Sequence, residues 1–559
     1  MEEYDNAEDL IEIFNAYGIE HLFFNPGIDN VPVLETVSRY RATGKKSPRG
    51  ILCLDEFVTM TAAHGNYMAS GKPQAVSVHS ELGILQIGGA LQNAQWGRVP
   101  VIIFTEIQGP TRRVTWQKEP FDQGKMVRNF VKWDHQLTDK EDIQEALQTA
   151  LNIATTEPYG PVYLAIPREV LWHKADKSRD KPKTLKKAGI PPEKVKLEML
   201  AKAAEILINA ENPLIITGHS GRNPDTVPKL IELAETLCAR VLTSDTRMNF
   251  PNTHPLAAYI PTIAGLGNPP MANTDVILAI DYDLPYASPA AGPPAEMTFI
   301  HIDIDMFKKG APLWGRKPDI AIEGDSGRII PALTRAIKEK LTDDRRAQFK
   351  KCFKQLEAEH NNLASEWQSL AESHSQKKPI SAHWLSKCIS EAIDDDTIIV
   401  NQTISPSRIV AHLVQRSKPG TLLSYSGGCI GWAIGAALGV KLAAPDKTVV
   451  SLMGDGAFIY GCPEASLWSS GFYKAPFLSI IFDNQGYGAI KGLFREKHDV
   501  DNMGADIYRP PDYTKIAQAC HAYGRTVEEP ADVIPALKEG LERVRSGQPA
   551  VLDIRLEPV

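Results

Sequence analysis

The chain is short of the features that would tie it to nucleic acid, a membrane or an oxidising compartment. Its 61 Lys and Arg are outweighed by 68 Asp and Glu, a net charge of −7 over 559 residues. No basic face is therefore on offer to nucleic acid or to an anionic membrane, and the one locally basic stretch, 181–187, reads as linker. No apolar run reaches the roughly 18 residues that mark a membrane span. No lipidation box is present, and Met1-Glu-Glu-Tyr-Asp is acidic where a transit leader would be basic. Seven cysteines (Cys53, Cys238, Cys352, Cys388, Cys429, Cys462, Cys520) are scattered without a CxxC pair or zinc spacing. Free thiols in a reducing, cytoplasmic setting are the expectation. Nor does a GxGxxG fingerprint open a helix after any strand, which removes the usual nicotinamide-binding signal.

What the chain does have is length and alternation. Its 559 residues suffice for about three α/β domains of ordinary size. Up to residue 173, helical stretches such as 7–17 alternate with short apolar strands at 21–24, 50–55, 75–78 and 99–105. That is the pattern of a parallel sheet with helices on both faces. A charged, Pro-containing stretch at 174–193 interrupts it as a linker. Strands at 213–217, 240–243, 275–280 and 298–304 form a second unit, and the polar, helical stretch 343–378 reads as a second, surface linker. Strands at 397–401, 448–453, 477–483 and 550–554 form a third. The expected fold is α/β: three doubly wound domains, 1–173, 194–342 and 379–559, each around a central parallel sheet.

The third unit carries the chemistry. Gly454-Asp455-Gly456 ends one apolar strand and Asp483-Asn484-Gln485-Gly486 ends the next, with the helical segment 463–471 between them. A right-handed strand–helix–strand crossover opens both turns on one sheet edge, where open α/β sheets bind ligands. Magnesium takes hard oxygen ligands, one or two of them from side chains. Asp455, Asn484 and a backbone carbonyl near Gly486 supply that set. The amides of Gly456 and Ala457, opening the following helix, would meet a phosphate with a favourable dipole. Taken singly, each motif would be only a turn.

The paired motif resembles the signature of thiamine-diphosphate (ThDP) enzymes, GDG followed downstream by Asn-Asn, in the pyruvate decarboxylase and acetolactate synthase superfamily. The likeness runs the length of the chain. Asp483 stands where the first Asn of the motif is usual; the ligand position, Asn484, is intact, so metal binding is expected to survive. The resemblance implies pyrimidine-binding, middle and diphosphate-binding domains in that order, with ThDP and Mg2+ as cofactors. It also implies a homodimer or homotetramer in which Glu56 and His79 of one subunit face the metal motif of another. Gly218-His219-Ser220-Gly221 follows a middle-domain strand and could hold an anion, but FAD or a nucleotide is not expected there.

Glu56 stands where this family places the glutamate that activates the cofactor; on its own it is also a first-turn Glu favoured by the helix dipole. Asp55 faces the other way by strand alternation. His79, in Val78-His79-Ser80, resembles the catalytic His of benzoylformate decarboxylases. As an imidazole it could pass a proton at the intermediate's hydroxyl, or it caps the following helix or packs between domains. Gly427 to Trp432 resembles the loop beneath the cofactor, with the Gly428 carbonyl accepting from the ring's amino group and Ile430 as the wedge that bends ThDP, a role compatible with core packing. Ser405 falls where relatives bind the diphosphate, and would equally serve as a helix N-cap.

Tyr487, beside the cofactor, with Ile490 and Leu493, would wall the substrate pocket together with Ile28 and Trp116 of the first domain; the aliphatic side chains could also be core. The wall is apolar, Arg112 and Arg113 being the only anion clamps in view, and it suggests a hydrophobic acyl group. The titratable set is thin. The second His of benzoylformate decarboxylases has no counterpart in 282–288, Ile28 replaces their Ser, and Thr115-Trp116 replaces the His-His pair of pyruvate decarboxylases. The expected activity is that of a ThDP- and Mg2+-dependent carbon–carbon lyase or ligase acting on a small 2-oxo acid. It would decarboxylate that acid and protonate the resulting enamine to an aldehyde, or add it to a carbonyl acceptor as acetolactate synthases do. From another class, the alternative is a catalytically silent ThDP-binding relative.

Overall fold

Runs such as Gln74–Val78 and Val276–Ile280 are buried end to end, as strands covered on both faces must be. In a computed structural model that describes residues 5–109, 122–174, 197–244, 246–259, 273–283, 297–306, 317–497 and 504–558, such runs build three six-stranded sheets. All the pairings are parallel. The first sheet holds β1 (His21–Asn25), β2 (Arg49–Leu52), β3 (Gln74–Val78), β4 (Val101–Ile107), β5 (Trp133–Gln136) and β6 (Val162–Pro167), in the order β2-β1-β3-β4-β6-β5. The second holds β7 (Pro213–Thr217), β8 (Arg240–Thr243), β9 (Ala257–Tyr259), β10 (Val276–Ile280), β11 (Thr298–Asp303) and β12 (Ile320–Glu323), ordered β12-β11-β10-β7-β8-β9. The third holds β13 (Ile398–Gln402), β14 (Leu422–Ser424), β15 (Val449–Gly454), β16 (Leu478–Asp483), β17 (Tyr523–Val527) and β18 (Ala550–Arg555), ordered β14-β13-β15-β16-β18-β17.

Each sheet reverses its strand order beside its first strand, between β1 and β3, β7 and β10, and β13 and β15, and the first and third reverse again at the far edge, where β6 lies between β4 and β5 and β18 between β16 and β17. At such a point the loops leaving adjacent strands part in opposite directions and leave a crevice. The third crevice opens between Gln402 and Gly454, beside the predicted metal motif, and the first between Asn25 and Val78, beside His79.

The first and third sheets share one core. The Glu56–Ser70 helix lies along the Trp432–Ala443 helix, where a Cβ on Gly65 would stand 2.2 Å from the Ala436 carbonyl oxygen and one on Gly439 would stand 1.8 Å from that of Ala62. Only glycine permits so close an approach. Trp432 to Val440 are wholly buried in that contact, so the two sheets are held as one body.

Two helices differ from the sequence reading. The one expected to follow His79 is two, Ser80–Gln86 and Gly88–Trp96, parted at Ile87 before a Gly-Gly pair. There Gly89 admits the Cys429 sulfur, 2.4 Å from where a Cβ would sit. The expected surface linker at 343–378 is the 31-residue Asp343–Ser373 helix, and it is anchored at both ends. Phe349, Cys352, Phe353 and Leu356 pack on the middle core, while Trp367 stacks on His412 with ring centroids 4.5 Å apart. The first expected linker, apart from Lys174, lies outside the described residues. Among the described residues no helix is long and apolar enough to cross a membrane.

Candidate active site

β15 ends at Gly454, so Asp455 is the first residue of the Asp455–Tyr460 helix, 1% exposed. Its Oδ1 accepts from the Gly456 amide at 2.8 Å and its Oδ2 from the Gly486 amide at 2.9 Å, so the two predicted turns are tied through this one carboxylate. Asn484 and Ser405 converge beside it, for a Cβ on Gly488 would lie 2.5 Å from Ser405 Oγ and 2.9 Å from Asn484 Nδ2. Ser405 is not the helix cap, since the Ser407–Leu413 helix starts from Pro406. Tyr487 lays its ring on Gly456, 2.6 Å from a Cβ there, while Gly428 and Gly454 face open space. All of these, with Ile430, Ala457, Gly486 and Ile490, line one cavity of about 670 Å³ whose far rim is His374, Lys377 and His383.

Asp483 keeps the turn geometry an Asn would give, its Oδ1 accepting from the Gln485 amide at 3.0 Å. What it adds is charge. Asp455, Asp483 and Asp553 stand in a row, all but fully buried, and burial followed by the charge of Asp483 pushes the carboxyls of Asp455 and Asp553 well above the usual range. Arg555 sits against the row, Nη1 2.6 Å from Asp483 Oδ2 but off-line for a hydrogen bond, and Nη2 3.1 Å from Asp553 Oδ2. Sequence reading missed Asp553 and Arg555, although their i, i+2 spacing at the end of β18 puts both on one face of the sheet.

The residues fit the cofactor pair expected of them. A buried carboxylate, an amide and a backbone carbonyl form a hard-oxygen donor set for Mg2+. The side-chain-free surface at Gly428 and Gly454, with the Ser405 hydroxyl, leaves room for the diphosphate. The loop bearing Gly428 and Ile430 is fixed by the first unit of the same chain: Gly428 N donates to Gln92 Oε1 at 3.0 Å, and Asn93 exchanges bonds of 3.1 and 2.8 Å with the backbone of Cys429. Neither Gln92 nor Asn93 stood out in the sequence.

The first crevice holds the other predicted group. Asp55 caps the Glu56–Ser70 helix by accepting from Val58 N at 3.0 Å, which leaves Glu56 as the first residue of that helix, half-buried, its Cγ 3.3 Å from where a Cβ on Gly83 would lie. His79 precedes the Ser80–Gln86 helix without capping it; its Nδ1 faces Asp29 Oδ2 at 3.7 Å. Asp29, buried, is paired with Arg168 at 2.7 Å. Below them the wholly buried Glu106 accepts from Asn30, and burial pushes its carboxyl up to about 8. Asp29, Arg168 and Glu106 escaped sequence reading. The cavity of the third sheet is lined by neither Glu56 nor His79. Ile28 (75% exposed) and Leu493 (53%) stand outside it, and Trp116, Arg112 and Arg113 lie outside the described residues.

At the middle crevice, among the described residues, charges of the chain pair with one another. His219 Nε2 meets Asp283 at 2.8 Å and Arg222 meets Asp281 at 2.7 Å, while Arg98 and Glu157 reach in from the first unit to Asp283 and Arg222.

Family models for thiamine pyrophosphate enzymes match along this framework: the N-terminal TPP binding domain at residues 5–126, the central domain at 200–333 and the C-terminal TPP binding domain at 405–554. Among related proteins, a probable acetolactate synthase large subunit of Methanocaldococcus jannaschii is 26% identical over 582 residues, 99% of this chain and 92% of the relative. The benzoylformate decarboxylase of Pseudomonas aeruginosa is 26% identical over 89% of each. In fold, the thiamine diphosphate-dependent 4-hydroxybenzoylformate decarboxylase of Rhodococcus jostii superposes with a TM-score of 0.84 over 99% of both chains, at 22% identity. With all three domains matched in order and the fold shared end to end, the chain belongs to the thiamine pyrophosphate enzymes, whose cofactor is thiamine diphosphate.

Proposed function

We propose that the chain decarboxylates a small 2-oxo acid, using ThDP and Mg2+, and releases the aldehyde or hands the acyl unit to a carbonyl acceptor. One observation carries the reading: Asp455, Asn484 and Ser405 meet on one cavity, while the proton-passing groups, Glu56 and His79, gather at the crevice of the first sheet. When bound, the cofactor supplies the electron sink that allows loss of carbon dioxide. Asp455, Asn484 and the Gly486 carbonyl would hold the metal. Ser405, Gly454, Gly456 and Ala457 would hold the diphosphate, and Gly428, Ile430 and Tyr487 the rings. Glu56 would exchange a proton with the pyrimidine, and His79 would carry one to and from the substrate oxygen. Ile28, Trp116, Ile490 and Leu493 would enclose an apolar acyl group.

The active unit in this reading is a cytoplasmic homodimer or homotetramer of chains with domains at 1–173, 194–342 and 379–559, the first crevice of one chain facing the cavity of another. In support, the cavity is lined by neither Glu56 nor His79, and Ile28, Leu82, Leu85, Tyr460 and Phe472 are exposed apolar side chains. Mixing inactive Glu56→Gln and Asp455→Ala chains should restore part of the activity; failure of the mixture, with each variant folded, would exclude a shared site.

The chemistry is tested by NMR of the products formed from aliphatic and aromatic 2-oxo acids with ThDP and Mg2+, with Glu56→Gln as control. Aldehyde marks a decarboxylase and acyloin or acetohydroxy acid a carboligase. No product from any acid overturns the reading.

A further inference from the structure

The groups around His79 do more than surround it. The imidazole lies flat against the turn after β1, where a Cβ on Gly27 would come within 1.9 Å of Nδ1. That turn cannot give way, because Gly27 N donates to Asn30 Oδ1 at 2.6 Å, while Asn30 Nδ2 donates to Ser77 Oγ at 2.9 Å and to Glu106. His79 Nδ1 is buried without a hydrogen-bond partner, yet 32% of the side chain is exposed, so the open edge of the ring is the one bearing Nε2. Facing the buried edge is one carboxylate oxygen of Asp29, at 3.7 Å; the other oxygen of Asp29 is held by Arg168 at 2.7 Å.

We propose that Asp29 is the positioning residue for His79: its carboxylate keeps the Nδ1 proton on the buried edge, which leaves Nε2 as the nitrogen that takes and returns the substrate's proton, and Arg168 sets how much of the Asp29 charge His79 feels. The proposal rests on the proton-carrying role given to His79 above. At 3.7 Å the carboxylate acts by charge, favouring the imidazolium, whereas Arg168 draws that charge away. Removing Asp29 and removing Arg168 therefore push His79 in opposite directions, which a purely structural role for the pair would not do. The elements packed on the Ser80–Gln86 helix bring few other titratable groups. They are Glu56 and the buried His64 of the Glu56–Ser70 helix, Glu106 on β4 and Lys125 on the Gly124–Val127 helix, with Glu81 on the helix itself. All are retained in both variants.

The experiment is kcat and KM against pH for the cofactor-loaded full-length protein and for Asp29→Asn, Arg168→Met and His79→Ala, with a 2-oxo acid that the unmodified protein turns over. In Asp29→Asn, kcat should fall roughly 10–100-fold with KM little changed. The pH limb that His79→Ala abolishes should move down in Asp29→Asn and up in Arg168→Met. Limbs that stay in place, or move the same way in both variants, overturn the positioning role while leaving that of His79 intact. A His79→Ala protein with full activity and an unchanged profile overturns both. Should Asp29→Asn fail to fold, Arg168→Met decides alone: an upward shift supports the proposal and an unmoved limb overturns it.

Discussion

The middle and C-terminal sheets differ in strand order but both reverse it beside their first strand, and they use the crevices there in opposite ways. At that reversal each sends the loops of two adjacent strands to one point. In the middle sheet those loops carry opposite charges, and they find one another: His219 with Asp283, Arg222 with Asp281, with Arg98 and Glu157 completing the set from the first unit. In the C-terminal sheet the loops carry glycine, hydroxyl, amide and acid. Asp455 draws on backbone amides and stands beside a second acid, and space is left over. Topology supplies the crevice; the charges on its two lips decide whether it becomes a joint between domains or a place for a ligand.

The contrast breaks most visibly at Asp455. Asp455→Ala should cost more than the roughly 10–100-fold that outer partners of a metal cost, and should abolish the rise in melting temperature on adding ThDP and Mg2+, read by scanning fluorimetry. In the middle crevice the effect should fall on stability instead. Asp281→Ala leaves the buried Arg222 guanidinium with Glu157 as its remaining acid and should cost roughly 1–3 kcal/mol, read as an earlier calorimetric transition, with kcat per folded molecule unchanged.

A third change is set by pH in the first sheet. The Glu106 carboxyl, raised by burial from 4.5 to about 8, keeps a proton in the folded chain that the unfolded chain releases. Its contribution is complete below about pH 4.5 and is lost as pH climbs towards 8. The melting temperature of Glu106→Gln relative to the unmodified chain should thus rise steadily between pH 5 and 8. The smallest effect sharpens the comparison at the metal motif. Asp483→Asn preserves the turn to Gln485 but removes one of three crowded carboxylates. It should stabilise the cofactor-free protein by about 1 kcal/mol and weaken Mg2+ a few-fold, both read from melting curves at graded Mg2+.

Most of the strands that sequence disclosed are central ones with unbroken Val, Ile and Leu runs, the edge strand β2 being the exception. β5, β9, β12, β14 and β17 escaped because each lies at a sheet edge and is only three to five residues long, and several are half polar, such as Trp133–Gln136, whereas β6 (Val162–Pro167) escaped although it is central and wholly buried. At the site, the residues with motif spacing were legible and are where the geometry converges. Asp29, Arg168, Glu106, Asp553 and Arg555 were not, because they act across 50 or more residues of chain through pairings that no local pattern encodes. Glu106 left one trace, an acid closing an otherwise apolar strand, Val101–Ile107.

The Asp343–Ser373 helix, read first as a tether, is a rod about 46 Å long. One end is wedged into the middle core at Phe349, and the other, gripped by Trp367 against His412, delivers His374 and Lys377 to the rim of the cavity. One continuous helix thus joins the middle core to the lining of the cavity, to which the middle sheet itself contributes no described side chain.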